Sequence, residues 1–98
     1  MIQSRKILIF GVKMKIYGYE GKCNLCGGQV RKLREGLKIT QTELAARMQV
    51  RGVMIDQKAI SRIELGARVV ADYELDALAD ALHTDVRWLL RGDRHTDG

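Results

Sequence analysis

The 98-residue sequence contains no proline, only 5% aromatic residues and two cysteines. The absence of proline excludes collagen-like and proline-rich chains, and two cysteines are too few for a disulfide framework. The longest apolar run, Ile7 to Phe10, is far shorter than the roughly 18–20 residues that cross a bilayer. The extended apolar region and the small-residue cleavage site of a secretory signal are both missing. We therefore expect a cytoplasmic protein with no membrane partner.

Catalytic motifs are missing as well. The sequence has no phosphate-binding loop, no Ser-His-Asp arrangement and no paired carboxylates on an apolar wall, so we expect neither an enzyme nor a cofactor. Cys23 and Cys26 supply two thiolates, whereas structural zinc needs four ligands, and no metal site is predicted. A buried thiol is favoured at Cys26, which falls on an apolar helical stripe. Redox sensing and a metal shared between two chains are the alternatives.

The net charge of +5 is divided unevenly along the chain. Residues 1–22 carry +4 and residues 23–68 carry +5, whereas residues 69–98 carry −4. A basic front and an acidic back favour a protein that turns one face toward a polyanion and the other toward water. An ordinary solvated surface is the alternative on charge alone. The outward, solvated side of one helix is expected to hold Asp72, Glu74, Asp76 and Asp80.

The helical pattern begins near residue 23. Residues 1–22 show no helical period and are predicted to form a short irregular N-terminal extension, with at most a brief strand. One domain is predicted over residues 23–92, followed by a tail over residues 93–98. Apolar spacing predicts helices over about 26–36, 41–49 and 57–65. Capping residues that predict the starts of the second to fifth helices are Thr40 with Glu43, Asp56, Asp72 and Asp85. Five short helices with short connections indicate an all-α fold.

The predicted third helix has two unlike faces. At 100° per residue, Ala59, Ile60 and Ile63 fall together on an apolar face. The opposite face presents an amide, an ammonium, a hydroxyl and a guanidinium, from Gln57, Lys58, Ser61 and Arg62. Such groups recognise base edges, since Gln pairs with adenine and Arg or Lys with guanine. The preceding helix opens with Thr40 and Gln41, whose polar groups and free amides suit a phosphate oxygen.

Four segments follow one another at spacings that are specific in combination. They are TQTELAARM at 40–48, AISRIELG at 59–66, ELDALADAL at 74–82 and VRWLLRG at 86–92. Their order resembles the Cro/C1-type (XRE-like) helix-turn-helix family of phage and bacterial repressors over about residues 24–92. The resemblance implies a five-helix, lambda-repressor-like domain. In this domain the second helix lies across the DNA backbone and the third enters the major groove.

The resemblance also implies roles for particular residues. Gln41 corresponds to a phosphate-contacting glutamine, and Arg68 lies in a loop that touches the next phosphates. Base or phosphate contacts are implied for Gln57, Lys58, Ser61 and Arg62. Arg34 and Glu64 match a buried ion pair between the first and third helices. Arg34 also lies on an apolar stripe, where a charge needs a partner; snorkelling of Arg34 to water is the alternative.

Three features depart from the family pattern. The turn over residues 49–55 is longer than the tight turn of the smallest members. Leu65 replaces a frequent asparagine, and any contact made by that asparagine is lost. Lys38 stands where glycine is usual before the second helix, so we expect that helix end to be irregular.

Together these features predict a sequence-specific, double-stranded-DNA-binding transcriptional regulator associated with the nucleoid, most simply a repressor. One such unit recognises about half a site, so a homodimer on a pseudo-palindromic site is expected. The alternative is a protein-interaction or antitoxin-like adaptor that uses the same fold. A third hypothesis makes the basic residues 1–22 an arm that follows DNA outside the helix-turn-helix.

Overall fold

The computed structural model describes residues 21–92, and five helices account for most of them. They are α1 (Gly27–Gly36), α2 (Gln41–Val50), α3 (Gln57–Glu64), α4 (Asp72–Ala81) and α5 (Val86–Arg91). The predicted all-α, five-helix fold is therefore confirmed. None of these helices has the length and hydropathy that a bilayer span requires. The predicted tail, and all but the last two residues of the predicted extension, lie outside the described residues.

Local hydrogen bonds start three helices at the predicted caps. The Thr40 hydroxyl accepts the Glu43 amide N–H at 3.0 Å, and the Glu43 carboxylate accepts the Thr40 amide N–H at 2.7 Å. Asp56 and Asp85 each accept the amide N–H three residues further on, at 2.9 and 2.7 Å. Each bond satisfies an amide that has no partner within its own helix. These caps fix where α2, α3 and α5 begin.

The predicted cap of α4 is wrong. Ala71 precedes the helix in an extended conformation, and Asp72 is already its first residue. An alanine side chain cannot accept a hydrogen bond from an amide of the first turn, so α4 keeps only the half of a capping box that Glu74 supplies. The Glu74 carboxylate accepts the Ala71 N–H at 3.0 Å. Glu74 is only 5% exposed, which also overturns its predicted place on a solvated acidic face.

The helices pack in a closed ring around one core. α3 packs against α1 and α2, α4 against α2, and α5 against both α1 and α4. The largest fully buried side chains are Cys26, Val30, Leu44, Met48, Ile60, Ile63, Leu78, Leu82 and Leu89. The predicted apolar faces of α2 and α3 therefore point inward. Leu37 follows the last residue of α1 and is 38% exposed.

The start of α1 lies directly against the end of α3. A Cβ atom on Gly27 would lie 2.2 Å from the carbonyl oxygen of Ile63, so only glycine fits there. Asn24 joins the two segments, because its Oδ1 accepts the Gly27 N–H at 2.8 Å and its Nδ2 donates to the Ile63 carbonyl at 3.2 Å. The same Nδ2 donates to the Arg68 carbonyl at 2.7 Å. α3 is thus held at its C-terminal end, and its first two residues, Gln57 and Lys58, are exposed.

The α1–α2 connection has the irregular feature that the sequence predicts. Lys38 has a φ of 61°, in the left-handed region that favours glycine. Its N–H donates to the Glu35 carbonyl at 3.0 Å, and the Ile39 N–H donates to the Arg34 carbonyl at 3.3 Å. This is a Schellman-type helix end built on lysine. The α2–α3 turn runs from Arg51 to Asp56, because α2 continues to Val50.

Candidate nucleic-acid interface

The recognition face of α3 is the exposed side of an amphipathic helix. Ile60 and Ile63 are fully buried, and they hold the helix against the core. Gln57, Lys58 and Arg62 are exposed, whereas Ser61 is half-buried. The guanidinium of Arg62 lies 3.5 Å from the Ala67 carbonyl, a weak contact at the edge of hydrogen-bonding distance. Three of the four side chains of this face are therefore accessible to solvent.

The start of α2 lies beside this face. Gln57 Nε2 donates to Gln41 Oε1 at 2.6 Å, which joins the first residue of α3 to the first residue of α2. The Thr40 side chain and amide are used within the capping box. The first amides of α2, which have no partner within the helix, point out from the same end. The structure thus brings Thr40, Gln41 and Gln57 together, although 16 residues separate the two glutamines.

A buried ion pair lies behind the two glutamines. Arg34 Nε donates to Glu64 Oε2 at 2.6 Å, and Arg34 Nη2 donates to Glu64 Oε1 at 3.1 Å. The two side chains are only 12% and 4% exposed. Arg34 Nη1 also donates to the Ile39 carbonyl at 2.9 Å. Its hydrogen bond with Glu64 raises the pKa of the Arg34 guanidinium above its usual value. Arg34 is therefore paired rather than snorkelling to water.

Glu64 connects the ion pair with the interface. Gln41 Nε2 donates to Glu64 Oε1 at 3.0 Å, so one carboxylate oxygen accepts from both Arg34 and Gln41. The resulting chain of hydrogen bonds runs from Arg34 through Glu64 and Gln41 to Gln57. The sequence predicts the ion pair and the two glutamines separately. It gives no sign of the link, which depends on the angle between α2 and α3.

Comparison with known proteins identifies the family of this chain. The sequence profile of the helix-turn-helix family matches residues 30–89, more than half of the chain. The chain belongs to the helix-turn-helix family. The Cro/C1-type resemblance that the sequence predicts is thereby confirmed. The family and the fold are those of DNA-binding transcriptional regulators.

A solved structure similar to this helix-turn-helix chain is the P22 c2 repressor in complex with synthetic operator 9T in the presence of Tl+. The two are 34% identical, with a TM-score of 0.61. The match covers 71% of this chain and 98% of the c2 repressor chain. A comparison with curated protein sequences gives no match. The lambda-repressor-like form of the fold is thereby confirmed.

Arg68 of this helix-turn-helix chain faces a carboxylate that sequence reasoning missed. Its Nη1 and Nη2 donate to the two oxygens of Glu74 at 2.8 and 2.9 Å, and Nη1 also donates to the Val69 carbonyl at 3.1 Å. This hydrogen bonding lowers the pKa of Glu74 below its usual value. A guanidinium has five N–H donors, so contact with a phosphate requires those not used here. The phosphate role of Arg68 stays a prediction.

A pocket of about 190 Å³ opens beside the buried ion pair. Its walls are formed by Arg31, Arg34, Gln41, Ser61, Glu64 and Leu65. Arg31 Nε donates to Glu35 at 3.1 Å on the exposed side of α1. The lining includes two arginines and one glutamate, and two further lining residues, Gln41 and Ser61, belong to the predicted interface. The pocket is thus continuous with the α2–α3 surface.

The two cysteines lie in different environments. Cys26 is 1% exposed, and burial raises the pKa of its thiol to about 11, so it is protonated and unreactive near neutral pH. Cys23 is half-buried, and its thiol is free. Within residues 21–92 there is no group of three or more metal-ligating side chains. The interpretation of Cys26 as a small buried side chain agrees with its position in the core.

Proposed function

We propose that this chain is a sequence-specific transcriptional regulator, a repressor, that inserts α3 into the major groove of double-stranded DNA. The observation that carries the proposal is the exposed polar face of α3 beside the N-terminus of α2. Gln57 matches the donor and acceptor of an adenine edge, and Lys58 and Arg62 match guanine. The repressor role is supported by the 34% identity to the P22 c2 repressor.

The backbone of the DNA is assigned to the start of α2 and the loop after α3. Thr40 and Gln41 lie where two helix amides are open, and such a helix end favours a phosphate oxygen. Arg68 approaches the neighbouring phosphate with the donors that Glu74 and the Val69 carbonyl leave free. These contacts fix the orientation of α3 and carry little sequence information. The exposed acids of α4, Asp72, Asp76 and Asp80, belong on the surface turned away from DNA.

The first test replaces Gln57, Lys58 and Arg62 together with alanine. Duplexes selected from random DNA supply the preferred site, and fluorescence anisotropy compares this site with a scrambled duplex. The preference is expected to fall by about a hundredfold or more, since each bidentate base contact contributes about 1–3 kcal/mol of discrimination. Circular dichroism should show an unchanged fold, because all three side chains are exposed.

The matched control is Arg87→Ala with Arg91→Ala, which removes the same net charge from α5. Both side chains are exposed, and α5 packs against α1 and α4 rather than beside the polar face of α3. The control is expected to keep the preference for the selected site. A triple variant that keeps the parent's preference would show that other residues recognise the bases.

Salt dependence tests the class of partner. Each phosphate that the protein neutralises should contribute about −0.9 to the slope of log affinity against log salt concentration. A protein-interaction adaptor with apolar contacts would give a nearly flat line. A steep slope that persists on scrambled duplexes, with no selected site, would indicate DNA binding without sequence recognition.

We extend the proposal to a pair of chains on a two-fold site. One α3 covers about half of a typical operator, so two copies are expected on half-sites one helical turn apart. Selected duplexes should contain an inverted repeat, and sedimentation should give two chains per duplex. A selected site without internal symmetry, bound by one chain, would contradict this arrangement.

A further inference from the structure

We propose that Glu64 is a positioning residue for base recognition. Through Gln41 it fixes the direction in which Gln57 presents its amide, and so it selects adenine at the base that Gln57 meets. The inference rests on the proposed function, because it assigns Gln57 to a base edge. It adds a specificity role to a carboxylate that otherwise only ties α1 to α3.

The first step is the chemistry of the carboxylate. Glu64 is paired with the Arg34 guanidinium through two hydrogen bonds, and its ionised carboxylate can only accept hydrogen bonds. Gln41 lies 3.0 Å from Glu64 Oε1. An amide oxygen at this distance from a carboxylate oxygen would be repelled. Gln41 must therefore present its NH₂ group to Glu64, whichever other contacts it makes.

The second step carries this orientation to α3. With its nitrogen toward Glu64, Gln41 directs its oxygen at Gln57, which lies 2.6 Å away. Only a donor satisfies that oxygen, so Gln57 must present Nε2. Reversing the Gln57 amide alone would place two amide oxygens at this separation. The two glutamines are thus fixed in direction by one buried charge.

The third step concerns the hydrogen-bonding groups of Gln57 that remain available to a base. One of its N–H groups is used by Gln41, which leaves one N–H donor and the Oε1 acceptor. Adenine presents an N7 acceptor and an N6–H donor in the major groove, which is the complementary pattern. Guanine presents two acceptors, and one of them would meet the Gln57 oxygen. Adenine is therefore favoured, and guanine is opposed.

The burial of the ion pair makes the constraint effective. Glu64 is 4% exposed and Arg34 is 12% exposed, and Arg34 is also tied to the Ile39 carbonyl. Water cannot readily replace Gln41 as the partner of Glu64 Oε1. An exposed carboxylate would be solvated and would orient Gln41 only weakly. The position of Glu64 in the core is what allows it to act on a surface amide.

The test uses Glu64→Gln in the full chain. A glutamine at this position presents either an oxygen or an NH₂ group to Gln41, so the direction of both surface amides is no longer imposed. The base pair that Gln57 meets is identified as the position whose preference is lost in Gln57→Ala. At that position the preference for adenine over guanine is expected to fall about tenfold, part of what a bidentate contact provides. Preferences at other positions should be kept.

Glu74→Gln is the matched control. It also neutralises a buried carboxylate that is paired with an arginine, but Glu74 contacts neither glutamine. Both variants are measured at a temperature where circular dichroism shows them folded. The control is expected to retain the parent's adenine preference. The proposal is overturned if Glu64→Gln, while folded, also retains it.

Gln41→Met provides a second route if Glu64→Gln does not fold. It removes the link between Glu64 and Gln57 and leaves the Arg34–Glu64 pair intact. The same tenfold loss of adenine preference is expected, together with a uniform loss of affinity from the missing phosphate contact. A uniform loss alone, with the adenine preference unchanged, would show that Gln41 does not orient Gln57.

Side-chain amide NMR of the free protein separates this inference from the proposed function. In the parent, one Gln57 amide proton and one Gln41 amide proton should be hydrogen-bonded, with slow solvent exchange and small temperature coefficients. In Glu64→Gln both should approach the values of solvated amides. If the parent amides are already solvated, the inference fails even when DNA is bound. If they are protected but no DNA sequence is preferred, the proposed function fails and the inference falls with it.

Discussion

Two corners of the molecule flank α3, and each contains an arginine that donates to a nearby backbone carbonyl and to a glutamate. In the α1–α2 corner, Arg34 donates to the Ile39 carbonyl and to Glu64. In the α3–α4 corner, Arg68 donates to the Val69 carbonyl and to Glu74. The partner differs, since Glu64 lies 30 residues from Arg34 on another helix, whereas Glu74 lies six residues from Arg68.

This difference in sequence separation decides what each arginine does. The Arg34–Glu64 pair joins the end of α1 to the end of α3 and, through Gln41, to the start of α2. The Arg68–Glu74 pair closes a local loop and supports an α4 start that has no side-chain cap. The same hydrogen-bonding groups therefore act as a tertiary tie in one corner and as a local cap in the other.

The largest expected effect on stability comes from replacing the arginine of each ion pair. Arg34→Met leaves Glu64 buried without its charge partner and should lower the free energy of unfolding by about 3–5 kcal/mol. Arg68→Met should cost less, about 1–2 kcal/mol, because the Arg68 side chain is 29% exposed and Glu74 keeps the Ala71 amide. Urea denaturation measures both. Equal losses would show that the tertiary tie stabilises no more than the local one.

An intermediate effect comes from pH in the α3–α4 corner. The hydrogen bonds from Arg68 lower the pKa of Glu74 in the folded chain below its usual 4.5. Stability from this pair is therefore fully present above that value and is lost as the pH falls through the lower, folded pKa.

The measurement compares the urea midpoints of the parent and Glu74→Gln at about pH 6 and about pH 3. The parent should be the more stable of the two at the higher pH, and its advantage should shrink at the lower pH. An advantage that stays constant across this range would show that the charge of Glu74 contributes nothing to stability.

The smallest expected effect concerns the helix end in each corner. Lys38 and Gly66 both adopt a left-handed conformation, with φ of 61° and 74°. Lys38→Gly should raise the free energy of unfolding by about 0.5–1 kcal/mol, because it removes strain but adds entropy to the unfolded chain. Gly66→Ala should lower it by about 1 kcal/mol. Thermal melts followed by circular dichroism measure both, and changes of the same sign would contradict the comparison.

Local signals explain which parts of the fold could be predicted from sequence. The caps at Thr40, Asp56 and Asp85 were predictable because each bond joins residues three apart. The same reasoning failed at α4, where Asp72 has the right side chain but Ala71 occupies the capping position. The Ala71 amide is satisfied by Glu74, which is buried and paired with Arg68. Sequence spacing does not show which of two neighbouring residues is the N-cap and which is the first residue of the helix.

The candidate site also has features that could be predicted from the sequence and features that could not. The polar face of α3 follows from the positions of Ile60 and Ile63, since burial of one side exposes the other. The contact between Gln41 and Gln57 could not be predicted, because a six-residue turn leaves the angle between α2 and α3 open. Asn24 was missed for a similar reason, since its partners lie about 40 residues away.

The sequence by itself determined the five helices, the buried faces of α2 and α3 and the residues that face outward from α3. These properties follow from hydrophobic period and capping, which act within one or two helical turns. Only the tertiary structure decided that one buried carboxylate, Glu64, meets both Arg34 and Gln41. That arrangement needs three helices packed at particular angles, and these angles are set by the shape of the shared core rather than by any single segment.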